Sequence, residues 1–349
     1  MVEAAAATTS IKKPKMDLLK EGDVLLGRLT VVSKLGAGGF GQIYKAWDSN
    51  LKKEVAIKVE SPEKTSRMVL PMEVAVLRKL QGRPHTPLFY NCGKTERYNY
   101  MVLELLSANL SEMRRRSPYH RFSAGTMLHV GQQTLEALRN IHDIGYLHRD
   151  VKPSNLTFSL EKKRRRMLYI IDFGLARQFL RNGAIRQPRP SCGFRGTIRY
   201  ASVNVHRGQD AGRHDDLWSL LYTLLELNRG MLPWRKLRDK NDVMRQKESL
   251  PLEALCEGSV VELIAFGRVI KTLVYFDEPP YRKLAELLEQ GMRRVNFNAE
   301  ETLLDWDEHF ETLMKEEAER KRRKKMKLQP PSQEQQPQQN ANRMVRNSN

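Results

Sequence analysis

Between His148 and Gly174, Asp150, Asn155 and Asp172 stand at offsets that few folds can use. The stretch reads His148-Arg149-Asp150-Val151-Lys152-Pro153-Ser154-Asn155, then a polar and basic interval, then Ile170-Ile171-Asp172-Phe173-Gly174. An Asp followed closely by an Asn on a loop can set a hydroxyl nucleophile and a metal ion side by side. A second Asp, ending a short apolar run, can grip the same metal from the other wall. Each of these residues alone would read as a surface carboxylate or a cap. Their order carries the information, so the remainder of the chain is read for whether it serves them.

Upstream, Leu29-Thr30-Val31-Val32-Ser33-Lys34-Leu35 has a strand pattern and runs into Gly36-Ala37-Gly38-Gly39-Phe40-Gly41-Gln42-Ile43-Tyr44. Glycines 36, 38 and 41 let backbone amides approach phosphates with no Cβ in the way. A dinucleotide-binding fold uses the same spacing, but there the glycines open a helix. Here Ile43-Tyr44-Lys45-Ala46 reads as another strand, so the loop joins two strands; an unrelated glycine turn remains the alternative. Next, Glu54-Val55-Ala56-Ile57-Lys58-Val59 is an apolar strand with one Lys in it. A buried ammonium is costly without partners, so Lys58 either faces solvent or holds phosphate with a carboxylate from the following helix. Met72, Val76 and Leu80 recur at i, i+4 and i+8 and mark that helix. Glu73 lies on it and is the chosen partner; Glu63, which precedes the periodic segment, is the rival. Thr126 to Ile144 forms a second amphipathic helix, with Leu128, Leu135, Leu138 and Ile141 as its stripe, and delivers the chain to His148.

In this order the motifs resemble those of protein kinases: the glycine loop, the strand Lys, the catalytic loop and the metal-binding Asp-Phe-Gly. The resemblance implies an α+β, two-lobed protein kinase fold, with a small β-rich lobe at about 24–105 and a large helical lobe at about 106–314. It implies transfer of the ATP γ-phosphoryl group to protein hydroxyls. Asp150 would accept a hydrogen bond from the substrate hydroxyl and take its proton late. Lys152 would neutralise the γ-phosphoryl charge, and a Lys there is typical of Ser/Thr kinases. Lys58, paired with Glu73, would bind the α- and β-phosphates, and Asn155 and Asp172 would hold Mg2+. The nucleotide would lie against Leu35, Gly36, Ala37, Gly38, Gly39, Phe40, Gly41, Gln42, Ile43 and Ala56. Backbone groups of Glu104 and Leu106 would receive the adenine edge, with Leu103 guarding the pocket behind it.

From Leu175 to Arg199 there is no Asp or Glu, but there are six arginines: Arg177, Arg181, Arg186, Arg189, Arg195 and Arg199. A kinase meets its peptide in this region, so the charge points to acidic or already phosphorylated sites, which arginine forks bind well. The alternative is a loop that pairs with the protein's own acids. Most kinases carry Ala-Pro-Glu shortly afterwards; here Ser202-Val203-Asn204 resembles the Ser-Ile-Asn of the casein kinase I superfamily. His206, the run from Arg213 to Leu220, and Leu232-Pro233-Trp234 continue that resemblance over about residues 24–297. Within the superfamily the chain looks most like the tau-tubulin kinase branch, on Met72-Glu73-Val74-Ala75-Val76-Leu77 before Leu80-Gln81-Gly82, on Asp150 to Asn155 and on Asp215 to Leu220. The resemblance implies activity without loop phosphorylation and makes Arg199 and Arg238 candidate anion contacts. It also implies a structural Thr197 bonded near Asp150, an Asp216 that supports the catalytic-loop backbone, and an Asn204 limited to neutral hydrogen bonds.

The net charge of +19 favours acidic partners. Nucleic acid is disfavoured, because no aromatic-rich basic module accompanies the charge. No apolar run approaches the roughly 20 residues of a membrane span, and no secretory signal is read at the N-terminus. Cys92, Cys192 and Cys256 are few and scattered, which implies a reducing, intracellular setting. Residues 1–23 read as a flexible segment. Residues 315–349 read as a tail, basic and then Gln/Pro-rich, that does not order. Within it, Lys321-Arg322-Arg323-Lys324-Lys325 is a nuclear address, an electrostatic tether or a solvated helix end. The expected location is therefore cytoplasmic, with the nucleus as a second site. Lys162-Lys163-Arg164-Arg165-Arg166 reads as an exposed hairpin turn. The competing function is a kinase-fold scaffold that performs no transfer, and the presence of Lys58, Glu73, Asp150, Asn155 and Asp172 argues against it.

Overall fold

The computed structural model describes residues 17–38, 41–61, 69–161 and 164–307. The glycine-loop tip Gly39-Phe40, the rival acid Glu63, Lys162-Lys163, the first sixteen residues and the basic tail lie outside the described residues. The chain divides into two units, Met1–Thr302 and Leu303–Asn349, and the first carries the site.

The small lobe is a six-stranded antiparallel sheet. Its strands are β1 (Val24–Leu25), β2 (Leu29–Gly38), β3 (Gly41–Asp48), β4 (Lys53–Glu60), β5 (Phe89–Lys94) and β6 (Asn99–Glu104), in the order β1-β2-β3-β4-β6-β5. Alternation along β4 separates two functions. Val55, Ile57 and Val59 point into a core shared with Leu29, Val31, Tyr44, Ala46 and Val102. Ala56 and Lys58 therefore occupy the other face. The register sets Ile43 opposite Lys58, so the strands bring part of the expected nucleotide surface together by pleat alone.

Helix α1 (Leu70–Leu80) starts two residues earlier than the apolar period predicts. Pro71 occupies its first turn, where a missing N–H costs nothing. Its buried face is Leu70, Val74, Val76, Leu77 and Leu80, with Glu73 buried beside them. The connection Glu104–Leu106 passes from β6 to β7 (Leu106–Asn109) and into the large lobe.

The large lobe is helical: α2 (Leu110–Arg116), α3 (Ala124–Asp143), α4 (Val203–His206), α5 (Arg213–Arg229), α6 (Lys240–Ser249), α7 (Leu252–Cys256), α8 (Glu262–Lys271) and α9 (Tyr281–Arg294). Ser123 caps α3 by accepting the Thr126 amide at 3.2 Å. Helix α3 packs closely between α5 and α9, because Gly131 faces Leu224 and Leu288; a Cβ there would stand 3.0 Å from Leu224. Leu217, Leu220, Leu221, Leu224 and Leu225 of α5 are fully buried, each contributing about 1.5–3 kcal/mol of apolar burial. The short strands β8 (Tyr146–Leu147), β9 (Leu156–Ser159), β10 (Leu168–Ile170) and β11 (Arg177–Gln178) carry the catalytic segment across this helical base. No helix among the described residues is long and apolar enough to cross a membrane.

Candidate active site

Lys58 leaves β4 and meets Glu73 of α1. Its Nζ lies 2.7 Å and 3.0 Å from the two carboxylate oxygens. The same ammonium reaches Asp172 Oδ1 at 3.1 Å. Burial opposes charge on all three groups. Even so, Glu73 and Asp172 together hold the Lys58 pKa above its usual value. Burial pushes Glu73 up, countered by Lys58. Against burial, Lys58 holds Asp172 below the ordinary carboxylate range, helped by His148 and Lys152. The cluster joins β4, α1 and the Asp172 turn.

Asp150 stands on the loop after β8. Its Oδ1 accepts the Thr197 hydroxyl at 2.7 Å and its Oδ2 accepts Lys152 Nζ at 2.5 Å. Lys152 also reaches Thr197 Oγ1 at 3.1 Å. Asn155 donates its amide to the Asp150 carbonyl at 2.9 Å and, more weakly, to Oδ2 at 3.3 Å. With its nitrogen so engaged, Asn155 keeps its side-chain oxygen as a metal donor. Asp172 likewise spends one oxygen on Lys58 and keeps the other. Arg149 (φ 66°) and Asp172 (φ 69°) both hold left-handed backbone. Such conformations are costly for residues with a Cβ and gather at sites where geometry is imposed.

The loop is held from below by Asp216 on α5. This carboxylate accepts the His148 amide at 2.8 Å and the Arg149 amide at 2.7 Å. It also accepts His142 Nε2 at 2.9 Å, while His142 Nδ1 meets the Tyr281 hydroxyl at 2.6 Å. His148 completes the frame, with Nε2 3.2 Å from the Ile171 carbonyl and Nδ1 accepting the Asp150 amide at 3.2 Å. Reading the sequence did not find His142 or Tyr281. Their polar ends are buried on helices, and nothing in a helical period marks them.

The glycine loop divides by physical cause. A Cβ at Gly36 or Gly38 would meet nothing within 4 Å, so packing within the protein does not demand glycine there. Gly41 (φ 145°) is different: a Cβ would stand 2.3 Å from the Val59 carbonyl oxygen. Its glycine is required by the close approach of the hairpin to β4. The Gln42 side chain turns away from the Lys58 face, is 4% exposed, and accepts the Leu18 amide at 2.8 Å. It thus has only backbone to offer a nucleotide. Leu35 and Ile43 are exposed. The Glu104 side chain is buried and paired to Arg164 at 3.1 Å. Arg166 donates to the Ala299 and Thr302 carbonyls at 2.6 and 2.8 Å. Two arginines of the basic hairpin are therefore structural ties rather than a solvated face.

The arginine-rich segment is partly consumed by the protein itself. Arg177 and Arg189 pair with Asp210 at 2.8 and 2.9 Å. Arg199 shares the buried Glu226 at 3.2 Å, and Arg114 and the Tyr200 hydroxyl reach the same carboxylate. Arg199 remains 39% exposed at its side chain. Trp234 Nε1 donates to its carbonyl at 2.8 Å, which sets the exposed run Arg235 to Arg238 after the same turn. Arg181 and Arg195 are exposed, and no partner for either is seen among the described residues. Lys247 of α6 braces the chain just before Ser202-Val203-Asn204. It donates to the Ile198 and Ala201 carbonyls at 3.0 and 2.6 Å, over the rings of Tyr222 and Trp234. The Asn204 side-chain amide lies 2.9 Å from His214 Nε2.

A Lys58–Glu73 pair from the small lobe, tied to Asp172 of the large lobe, beside an Asp-Lys-Thr-Asn cluster on the catalytic loop and the segment after it, defines a phosphoryl-transfer site of the protein kinase class. Residues 29–287 match the protein kinase domain, and the chain belongs to that family. It is 45% identical over 287 residues to a Dictyostelium discoideum protein named as a serine/threonine-protein kinase. That match spans 82% of this chain and 58% of the relative's length. It is 37% identical over 305 residues to a Caenorhabditis elegans protein assigned by name to casein kinase I, spanning 84% of this chain and 87% of that one. A second C. elegans protein, named as a serine/threonine-protein kinase, is 36% identical over 288 residues, spanning 80% and 82%.

Replacing Lys58 with Met should lower kcat/KM for phosphoryl transfer about 100–1000-fold, the scale for one preorganised group lost from a transition state. The measurement is steady-state transfer from Mg-ATP to a Ser peptide. A normal rate would remove Lys58 from phosphate alignment.

Proposed function

We propose that the chain is a Ser/Thr protein kinase of the casein kinase I superfamily, on its tau-tubulin kinase branch, that prefers acidic or already phosphorylated sites. The observation that carries the chemistry is Asp150, whose carboxylate is fixed in orientation by Lys152, Thr197 and Asn155.

The residues present fit ATP and Mg2+. Asn155 and Asp172 keep one hard oxygen each, the donor type that Mg2+ takes, and Lys58 is a fixed cation beside them. When bound, Mg2+ neutralises charge across the phosphate oxygens. Lys58, oriented by Glu73, meets the phosphates on the small-lobe side. Asp150 orients the substrate hydroxyl and receives its proton as the O–P bond forms and the bond from the γ-phosphorus to the leaving diphosphate breaks. Lys152 offsets negative charge on the moving group. The rate comes mostly from positioning and electrostatics.

Arg199, with Arg195 exposed just before it and Arg238 exposed in the run after Trp234, which bonds the Arg199 carbonyl, supports the substrate preference. Arg199→Glu should reduce kcat/KM for an acidic or phospho-primed peptide about tenfold more than for a neutral one, as charge-assisted forks are lost. Equal losses on the two peptides would sink the anion preference and leave the transfer chemistry standing.

A further inference from the structure

Asp210 lies in the turn between α4 and α5, outside every motif of the transfer site. Its side chain is 1% exposed. Its Oδ2 accepts Arg177 at 2.8 Å and both the amide and Nε of Arg189 at 3.1 Å; its Oδ1 accepts a further Arg189 nitrogen at 2.9 Å. Arg177 lies near the start of the acid-free segment and Arg189 just past its middle. Arg177 pairs through β11 with Leu147, directly before the catalytic loop. Arg189 belongs to the stretch that leads to Cys192, whose amide bonds the Gly208 carbonyl at 2.8 Å.

A third guanidinium completes the cluster. Arg149 precedes Asp150 and donates to the Leu175 carbonyl at 2.7 Å. Burial, then the nearby charge of Arg177, lowers its pKa to about 10, with Arg189 adding to the effect and Asp216 and Asp210 opposing it. Asp216 is committed to the loop amides and His142. Asp215, which also lines the cavity, is bonded to Ser202 and the Gly212 amide, so Asp210 is the carboxylate there that binds arginines directly. The remaining cavity beside Arg149, Arg189, Cys192 and Arg195 is about 20 Å³, room for one water and not for a phosphate.

We propose that Asp210 is a positioning residue: a resident carboxylate that orders Leu175 to Arg199 against the catalytic loop, as a phosphate added to such a loop would do through arginines. The proposal rests on the kinase reading above. Removing the Asp210 side chain takes the bonded carboxylate from Arg177 and Arg189 and opens the cavity beside Arg149, so a small tetrahedral anion should fit where the carboxylate was.

The experiment measures phosphoryl transfer and thermal melting for the unaltered chain, Asp210→Ala and Asp210→Asn, each with sodium sulfate or with sodium chloride at equal ionic strength. A wild-type chain without transfer would overturn the kinase reading itself, and the melting arm would then decide the anion site alone. With transfer established, both variants should lose about 10–30-fold in kcat, the scale of a coupling of about 2 kcal/mol, with KM for ATP nearly kept. Sulfate should restore much of kcat to Asp210→Ala, and raise its melting temperature more than that of wild type. Asp210→Asn keeps the volume filled and should not respond. Full activity in Asp210→Asn overturns the proposal. So does a loss in Asp210→Ala that sulfate leaves unchanged together with no selective melting shift. If Asp210→Ala does not fold, the Asn variant decides by its rate and its KM.

Discussion

Asp150→Asn should lower kcat by about a thousandfold, within the span assigned to a general base, while nucleotide affinity and melting temperature stay near wild type. The geometry separates these outcomes. Asp150 bonds Lys152, Thr197 and Asn155 and makes no bond to Lys58, Glu73 or Asp172, so the phosphate side of the site does not depend on it. Asn is also tolerated locally. Turned so that its oxygen faces Lys152, it presents its NH2 to Thr197, whose hydroxyl rotates to accept. The fold therefore loses little, whereas an amide cannot receive the substrate's proton. The checks are single-turnover transfer to a Ser peptide, nucleotide titration and a melting curve. Turnover within tenfold of wild type would remove Asp150 from the base role. A large fall in nucleotide affinity would show that the two clusters are coupled in a way the bonds do not reveal.

Legibility in the sequence followed the kind of physics involved. Lys58 and Glu73 were readable as a pair because an isolated cation in an apolar strand demands a partner and the next helical period offers one. The α3 helix and the strands around the glycine loop were readable because burial follows period. Asp216 entered through resemblance alone: on α5 it is one of two adjacent acids, and only the structure shows which oxygens take the loop amides. Gly41 was read as room for phosphate, but its Cβ position collides with the Val59 carbonyl, a tertiary contact no local pattern contains. The arginine run was readable as charge but not as a division of labour. Asp210 and Glu226 lie 21 and 27 residues from arginines they bind, and helical or strand periodicity carries no information at that range. Lys247 was missed for the same reason, since its partners are carbonyls and ring faces from three distant segments.

Asp216→Asn should contrast with the Asp150 variant by costing both stability and rate. The carboxylate takes three donors: the His148 amide and His142 Nε2 on Oδ2, and the Arg149 amide on Oδ1. The two amides cannot rotate. Whichever way an Asn is turned, its NH2 opposes at least one of them, leaving a buried donor without an acceptor. Together with the lost charge, this should lower unfolding free energy by about 3 kcal/mol, and kcat should fall with it as the left-handed turn at Arg149 loosens. The pH dependence fixes the cause. Against burial, the His142 hydrogen bond and charge hold the Asp216 pKa below its usual value. A depressed carboxylate stabilises the fold above its unfolded pKa of about 3.9 and loses that contribution as pH falls through the folded value. The stability gap between wild type and Asp216→Asn should therefore be full at neutral pH and close in acid. A gap that persists unchanged below that range would mean that packing, not the carboxylate's charge, holds the catalytic loop in place.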